Sequence, residues 1–244
     1  MEPPLGQAGW DRYWRDCPEL AGKLTSVDAA VLRVLQEWCG PLQSRSLLEA
    51  GSGSGKISRV LALEGARTCL VDLSNQAIRL SRESFRQKGA LGSFLRASIL
   101  QFPFGDNCFD IVWNEGVVEH FDANTRKQIV GEMARVCRQG GWVVTFAPYA
   151  GAHLYRLGKW YAERRGTWAF GREEPLPTME PEFLAAGLTV AREETIGFWG
   201  QVHFLSYIPV VRVIPRLTAW MESGLGVLDR FLPGYFLVTA ARKG

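Results

Sequence analysis

The stretch Ser46-Leu47-Leu48-Glu49-Ala50-Gly51-Ser52-Gly53-Ser54-Gly55-Lys56-Ile57 decides how this chain is read. Its first five residues are short, apolar and bounded by polar neighbours, which predicts a buried strand. Glycines at 51, 53 and 55 follow at once. Without a Cβ, such residues let the backbone turn sharply and come close to a ligand. From Lys56 the apolar residues Ile57, Val60, Leu61 and Leu63 recur at helical spacing. A strand, a glycine loop and a helix in that order place the loop at the carboxyl end of the strand, where open α/β sheets keep their ligand crevice.

The same rhythm extends outward. Upstream, Val27, Val31, Leu32, Val34, Leu35 and Trp38 predict a helix that Gly40-Pro41 ends, preceded by an aromatic-rich leader. Downstream, strands are expected at 68–71 (closed by Asp72), 93–97, 109–113 and 142–146. Helices are expected from Ser74 or Asn75 to about Lys88, and from about Asn124 to Arg138. Short strands, apolar on both faces and alternating with helices, are the pattern of a parallel sheet covered on both sides. After residue 147 the rhythm breaks, and 148–178 shows no clear period. A short helix at 180–186, a sixth strand at 188–196 and a seventh at 234–241 follow. The expected organisation is a single domain over 1–244. A leader and helix occupy 1–45, a ligand-binding half 46–147, and a substrate half 148–244 with an insertion near 200–232.

The 244 residues are enough for one large core. Net charge is +3, with no run of like charge to suggest a nucleic-acid partner. The five cysteines are odd in number and form no C-x-x-C, which argues against a disulfide framework and a zinc site. Cys69 and Cys108 lie in apolar runs and are expected to be buried. The N-terminal MEPPLGQAGWDRYW has no signal-peptide core, and no 18-residue uncharged apolar stretch occurs. A cytoplasmic location is expected.

Three readings of the glycine loop compete. A Walker loop would need Gly at position 50 and a hydroxyl at 57, but Ala50 and Ile57 stand there. A dinucleotide fingerprint, G-x-G-x-x-G, has its third glycine one residue later than Gly55. Asp72 nevertheless lies at a suitable distance to hold ribose hydroxyls, so a nicotinamide-dependent oxidoreductase stays open. A turn with no ligand also stays open.

The stretches LLEAGSGSGKIS at 47–58, LVDLS at 70–74, FPFGDNCFDIVWNEGVVEHF at 102–121 and EMARVCRQGGWVVTFAPY at 132–149 together resemble class I S-adenosylmethionine-dependent methyltransferases, in particular the methyltransferase type 11 group. The resemblance covers most of 45–150. It implies a Rossmann-like α/β fold with a seven-stranded, mostly parallel sheet in the order 3-2-1-4-5-7-6, the seventh strand antiparallel, and helices on both faces. It implies S-adenosylmethionine as cofactor. Gly51, Ser52, Gly53 and Gly55 would lie against its methionine part, Glu49 would attract its ammonium, and Asp72 with Leu73 would hold the ribose. The family usually carries an acid where Ser98 stands; a hydroxyl accepts the same hydrogen bond without charge. The backbone of Ile99 would read the adenine, and Asn114 would border the reactive end.

Methyl transfer is an in-line displacement in which alignment supplies much of the rate. A base is needed only where the acceptor must lose a proton, and His120 and Glu115 are the candidates. His153 and Tyr149 are candidates for substrate contact, and Trp10, Tyr13 and Trp14 for closing over the cofactor. No metal ion is expected. The expected acceptor is a small or lipid-like molecule. Leu217, Trp220, Met221, Leu225, Leu228, Phe231 and Leu232 share a helical face, which would make the insertion a lid, an interface or a weak membrane-surface contact. A non-catalytic protein that binds an adenosine ligand is the reading from outside enzymology.

Overall fold

The computed structural model describes residues 6–18, 22, 24–211 and 232–244. The leader forms α1 (Gln7–Asp16), and the helix before the first strand is α2 (Ser26–Cys39). Five strands and three helices follow as β1 (Ser46–Ala50), α3 (Lys56–Leu63), β2 (Arg67–Asp72), α4 (Asn75–Lys88), β3 (Gly92–Arg96), β4 (Phe109–Glu115), α5 (Ala123–Val136) and β5 (Cys137–Pro148). The last part contains α6 (His153–Arg164), α7 (Glu180–Ala185), β6 (Val190–Ile196), α8 (Phe198–His203) and β7 (Phe236–Arg242).

All seven strands join one sheet in the order β3-β2-β1-β4-β5-β7-β6. β1 to β5 are parallel where they pair, and β7 runs antiparallel between β5 and β6. Alternation along each strand feeds two separate cores. Leu48, Val112 and Val143 face one layer with Ile129 and Met133 of α5. Leu47, Ile111, Trp113 and Val144 face the other, with Val31 and Leu35 of α2 and Ile57 and Leu61 of α3. Each such fully buried side chain contributes about 1.5–3 kcal/mol of transfer energy. That burial makes the sheet a rigid platform, with Glu49, Asp72 and Glu115 at or near the carboxyl ends of β1, β2 and β4.

Local chemistry sets the boundaries. Ser74 caps α4 by accepting from the Ala77 N–H at 3.1 Å, and Gly89 closes it in the left-handed region. Thr25 and Asp28 form a capping box on α2.

Four expectations need correction. The helix expected to reach Arg138 ends at Val136. Cys137 already pairs with Phe109, and the Lys243 ammonium caps the helix by donating to the carbonyls of Ala134 and Cys137, each at 2.8 Å. The 148–178 region contains α6, whose buried stripe is Tyr155, Gly158, Lys159 and Ala162. The spacing is helical, but a glycine and a lysine in the stripe remove the apolar signal. The edge strands β3 and β6 are largely exposed instead of apolar on both faces, because each has a neighbour on one side only. Cys108 is exposed and Cys69 half-buried, whereas Cys39 and Cys137 are the buried thiols. The apolar face from Leu217 to Phe231 lies outside the described residues. Among the described residues, no helix is long and apolar enough to cross a membrane.

Candidate functional site

A cavity of about 510 Å³ opens at the carboxyl edge of the sheet. The loop after β1 forms its floor. Gly51, Gly53 and Gly55 all hold positive φ, at 75°, 50° and 63°. All three positions are also crowded, a Cβ on Gly51 falling 2.6 Å from Val117. A Cβ on Gly53 would sit 2.4 Å from the Trp14 ring, and one on Gly55 would sit 2.3 Å from Leu70. The three glycines therefore fold the loop and let the leader helix lie directly on it.

Asp72 ties this loop down. One carboxylate oxygen accepts from the Gly53 N–H and the other from the Ser74 N–H, both at 2.8 Å. Burial raises its pKa to about 6 against those two hydrogen bonds. A carboxylate has about four lone-pair sites, so two remain for hydroxyl donors in the cavity. Glu49 is 5% exposed, its Oε2 has no hydrogen-bond partner, and burial pushes its pKa well up. The buried Ser52 Oγ is also unpartnered. Buried polar atoms of this kind are normally satisfied. A ligand with an ammonium near Glu49 and vicinal hydroxyls near Asp72 would satisfy them. Lys56 is held by Asp28 at 2.7 Å and is not presented as a phosphate-binding lysine would be.

The far end is aromatic and acidic. Trp10 and Tyr13 of α1 reach it, Trp10 meeting the His120 ring edge-on at 5.0 Å and Tyr13 packing on Phe170 at 5.3 Å. Trp168, Phe170, Phe204 and Tyr235 complete the wall, with Glu115, Glu119, His120 and Glu173 as its polar groups. His120 Nδ1 donates to the Arg172 carbonyl at 2.8 Å, and burial lowers the ring's pKa. Burial raises Glu115, Glu119 and Glu173. The Tyr155 hydroxyl donates to Glu173 Oε2 at 2.7 Å. The segment carrying Glu173 is fastened by Arg126, which pairs with Glu174 at 3.4 Å and with Glu182 at 2.9 Å.

Of the residues singled out in the sequence, Glu49, Gly51, Ser52, Gly53, Gly55, Asp72, Leu73, Ser98, Ile99, Glu115 and His120 line this one cavity, as do Trp10, Tyr13 and Trp14. Asn114 does not. It is fully buried, and its amide donates to Met133 Sδ at 3.4 Å, towards the α5 core. His153 is exposed at the start of α6, and Tyr149 bridges to Leu176; neither lines the cavity. The Ser98 hydroxyl accepts from the Leu100 N–H at 3.2 Å and so closes its own turn. Sequence reasoning missed Trp168, Phe170, Glu173, Phe204 and Tyr235. They come from segments without a period, and the only signal was the density of aromatic residues there.

Residues 48–145 match the family described as a methyltransferase domain. A malonyl-[acyl-carrier protein] O-methyltransferase of Pectobacterium atrosepticum is 31% identical over 129 residues, covering 53% of this chain and 48% of that protein. A ubiquinone biosynthesis O-methyltransferase of Bordetella avium is 26% identical over 211 residues, covering 83% and 82%. The chain spans about half the length of the first of these relatives. Among solved structures, a Pyrococcus horikoshii protein superposes with a TM-score of 0.66 at 17% identity, covering 96% of this chain and 99% of that one. A magnesium protoporphyrin IX methyltransferase from Synechocystis with bound SAH gives 0.64 at 13% identity, covering 98% and 97%. At such identities the structures establish a shared fold.

Proposed function

We propose that this chain is a class I S-adenosylmethionine-dependent methyltransferase, a reading supported by the methyltransferase-domain match over 48–145, and that it transfers a methyl group to a small or lipid-like acceptor seated beneath the leader helix. The observation that carries this reading is the division of one cavity into two chemically different ends. Glu49 and Ser52 offer unpartnered oxygens for an ammonium, and Asp72 keeps spare lone pairs for hydroxyls. The far end offers aromatic rings and ionisable groups, as an acceptor site needs.

When bound, S-adenosylmethionine supplies a methyl group already activated on a sulfonium. The chain's own residues then have to bind, orient and exclude water. Glu49 and Ser52 would hold the amino-acid part, and Asp72 the ribose. Ser98, Ile99 and Leu100 would enclose the adenine by shape and backbone contacts, since the Ser98 hydroxyl is engaged with Leu100. Trp10, Tyr13 and Trp14 would roof the reacting atoms and keep water out. Glu115, its pKa raised by burial, and His120, its pKa lowered by burial, are the candidates for accepting a proton from the acceptor. Two relatives, named as a malonyl-[acyl-carrier protein] O-methyltransferase and a ubiquinone biosynthesis O-methyltransferase, favour oxygen as the acceptor atom.

The oxidoreductase alternative loses support from the sheet. Dinucleotide-binding folds run 3-2-1-4-5-6, whereas here an antiparallel β7 is inserted beside β5. Incubation with methyl-labelled S-adenosylmethionine and panels of phenolic, acyl and amine acceptors tests the proposal. Transfer of label that Asp72→Ala slows at subsaturating cofactor supports it. Absence of transfer to every class, with cofactor bound, argues for a binding protein.

A further inference from the structure

We propose that Glu119, His120 and Glu173 form a divalent-cation site in the acceptor end of the cavity. One ligand atom from each lies within 4.8 Å of the other two, and all three residues line the same wall. Small side-chain rotations bring such atoms onto one ion at the 2.0–2.2 Å or so typical of nitrogen and carboxylate ligands.

The surroundings are those of a built site. Glu119 is 2% exposed, and its Oε2 has no hydrogen-bond partner. An orphaned carboxylate oxygen in that position asks for a cation. His120 Nδ1 faces the Arg172 carbonyl at 2.8 Å. A carbonyl can only accept, so Nδ1 carries the proton, and in the neutral ring the lone pair is on Nε2. Metal-ligating imidazoles are held in this way, with the second nitrogen donating to a backbone carbonyl. Glu173 is oriented by the Tyr155 hydroxyl on Oε2 at 2.7 Å, which leaves its other oxygen to act as a ligand. The backbone joins the two halves, since the Glu174 N–H donates to the Glu119 carbonyl at 2.8 Å. Lys159, the cation nearest in effect to Glu173, is engaged by Glu163 and by the Trp168 ring.

One imidazole and two carboxylates suit Mn²⁺ or Zn²⁺ better than the all-oxygen set that Ca²⁺ takes. Three protein ligands leave positions open toward the cavity, as in catalytic and not structural metal sites. The ion would bind an acceptor through a hydroxyl or phenol oxygen and acidify it. His120 then serves as a ligand, and Glu115 is left as the proton acceptor. This use of the ion rests on the methyl-transfer reading, whereas the binding of the ion does not. No motif pointed to a metal, because Glu173 arrives from a segment without a recognisable pattern.

The test is titration of the full, chelator-stripped chain with Mn²⁺, read by the electron paramagnetic resonance of the free ion. Wild type should bind one Mn²⁺ per chain, displaceable by Zn²⁺. Glu173→Gln should weaken binding at least about tenfold, and Tyr155→Phe by about tenfold through loss of the orienting hydroxyl. S-adenosylhomocysteine affinity measured on the same samples should stay within about twofold, reporting an intact fold. The assignment is overturned by wild type that binds neither Mn²⁺ nor Zn²⁺ saturably. It is equally overturned by Mn²⁺ affinity unchanged in both variants. Stoichiometric Mn²⁺ binding that depends on Glu173, in a protein indifferent to S-adenosylhomocysteine, would uphold the site and refute the cofactor reading instead.

Discussion

Asp72 links the fold to the ligand through one side chain. Its two oxygens each accept a backbone N–H, from Gly53 and Ser74, and it still faces the cavity. Removing it deletes a charge-assisted acceptor and slackens the glycine loop. Asp72→Ala should weaken S-adenosylmethionine binding by roughly tenfold to a hundredfold, which corresponds to about 1.5–3 kcal/mol. Calorimetry on folded mutant protein checks it, and unchanged affinity would reduce Asp72 to a loop tie. Ser98 should behave differently, because its hydroxyl already accepts from the Leu100 N–H. Ser98→Ala should cost less than Asp72→Ala, and Ser98→Asp should be tolerated. Loss of cofactor binding in folded Ser98→Asp would mean that the family position assigned to this residue is wrong. At this scale much of the cavity was legible, since glycines and the acids ending β1 and β2 keep a fixed spacing along the chain. Asn114 was not, because which face a residue at the end of β4 presents is decided by packing against Met133 and not by its position.

Among the elements, α1 is the one whose role the sequence only hinted at. Its aromatic density was visible, but the residue that docks it is Asp11. One Asp11 oxygen accepts from the Ser74 hydroxyl at 2.7 Å and from the Gln76 N–H at 3.1 Å, so the leader helix is fixed to the start of α4. Those hydrogen bonds hold its pKa below the usual carboxylate range. An acid at a helix N-terminus is favoured by the exposed N–H groups and the helix dipole. Asp11→Ala should therefore loosen α1 without disturbing the sheet. Trypsin should cleave faster after Arg12 and Arg15, and cofactor should dissociate several times faster, while the thermal midpoint moves little. Cleavage at the wild-type rate would assign α1 to ordinary packing through Trp14 alone. Most other elements were read from pattern with boundaries off by a residue or two, because strands buried on both faces and capped helices carry their signal locally; β5 begins five residues earlier than expected, and α8 was not expected. α6 escaped because its buried stripe contains Gly158 and Lys159, and Gly158 is small for a tertiary reason: a Cβ there would meet the Phe204 carbonyl oxygen at 2.3 Å.

For the molecule as a whole, the cavity gathers Glu49, Asp72, Glu115, Glu119 and Glu173, all with pKa values raised by burial. A carboxyl whose folded pKa exceeds its unfolded value near 4 contributes stability that is complete below that value. The contribution is lost as pH rises through the folded pKa, about 6 for Asp72. His120, with its pKa lowered, acts in the opposite sense, but it is one group against five. The carboxylates with lowered pKa values, such as Glu132, have finished titrating below this window. The thermal midpoint of the ligand-free protein should thus fall between pH 5 and pH 7.5 or so, as differential scanning fluorimetry can follow. A midpoint that rises across that range would show that the cavity acids are not strained. The sheet order and its antiparallel β7 were readable as a consequence of four motifs in sequence. The aromatic end of the cavity was not, since it forms only where α1, the 166–174 segment and the residues around Phe204 and Tyr235 converge.

Whether this cavity holds S-adenosylmethionine is decided by isothermal titration of the purified chain with S-adenosylhomocysteine, alongside NAD. One saturable site for S-adenosylhomocysteine, weakened by Asp72→Ala, and no heat from NAD are expected. Saturable NAD binding with none of S-adenosylhomocysteine would contradict the cofactor reading.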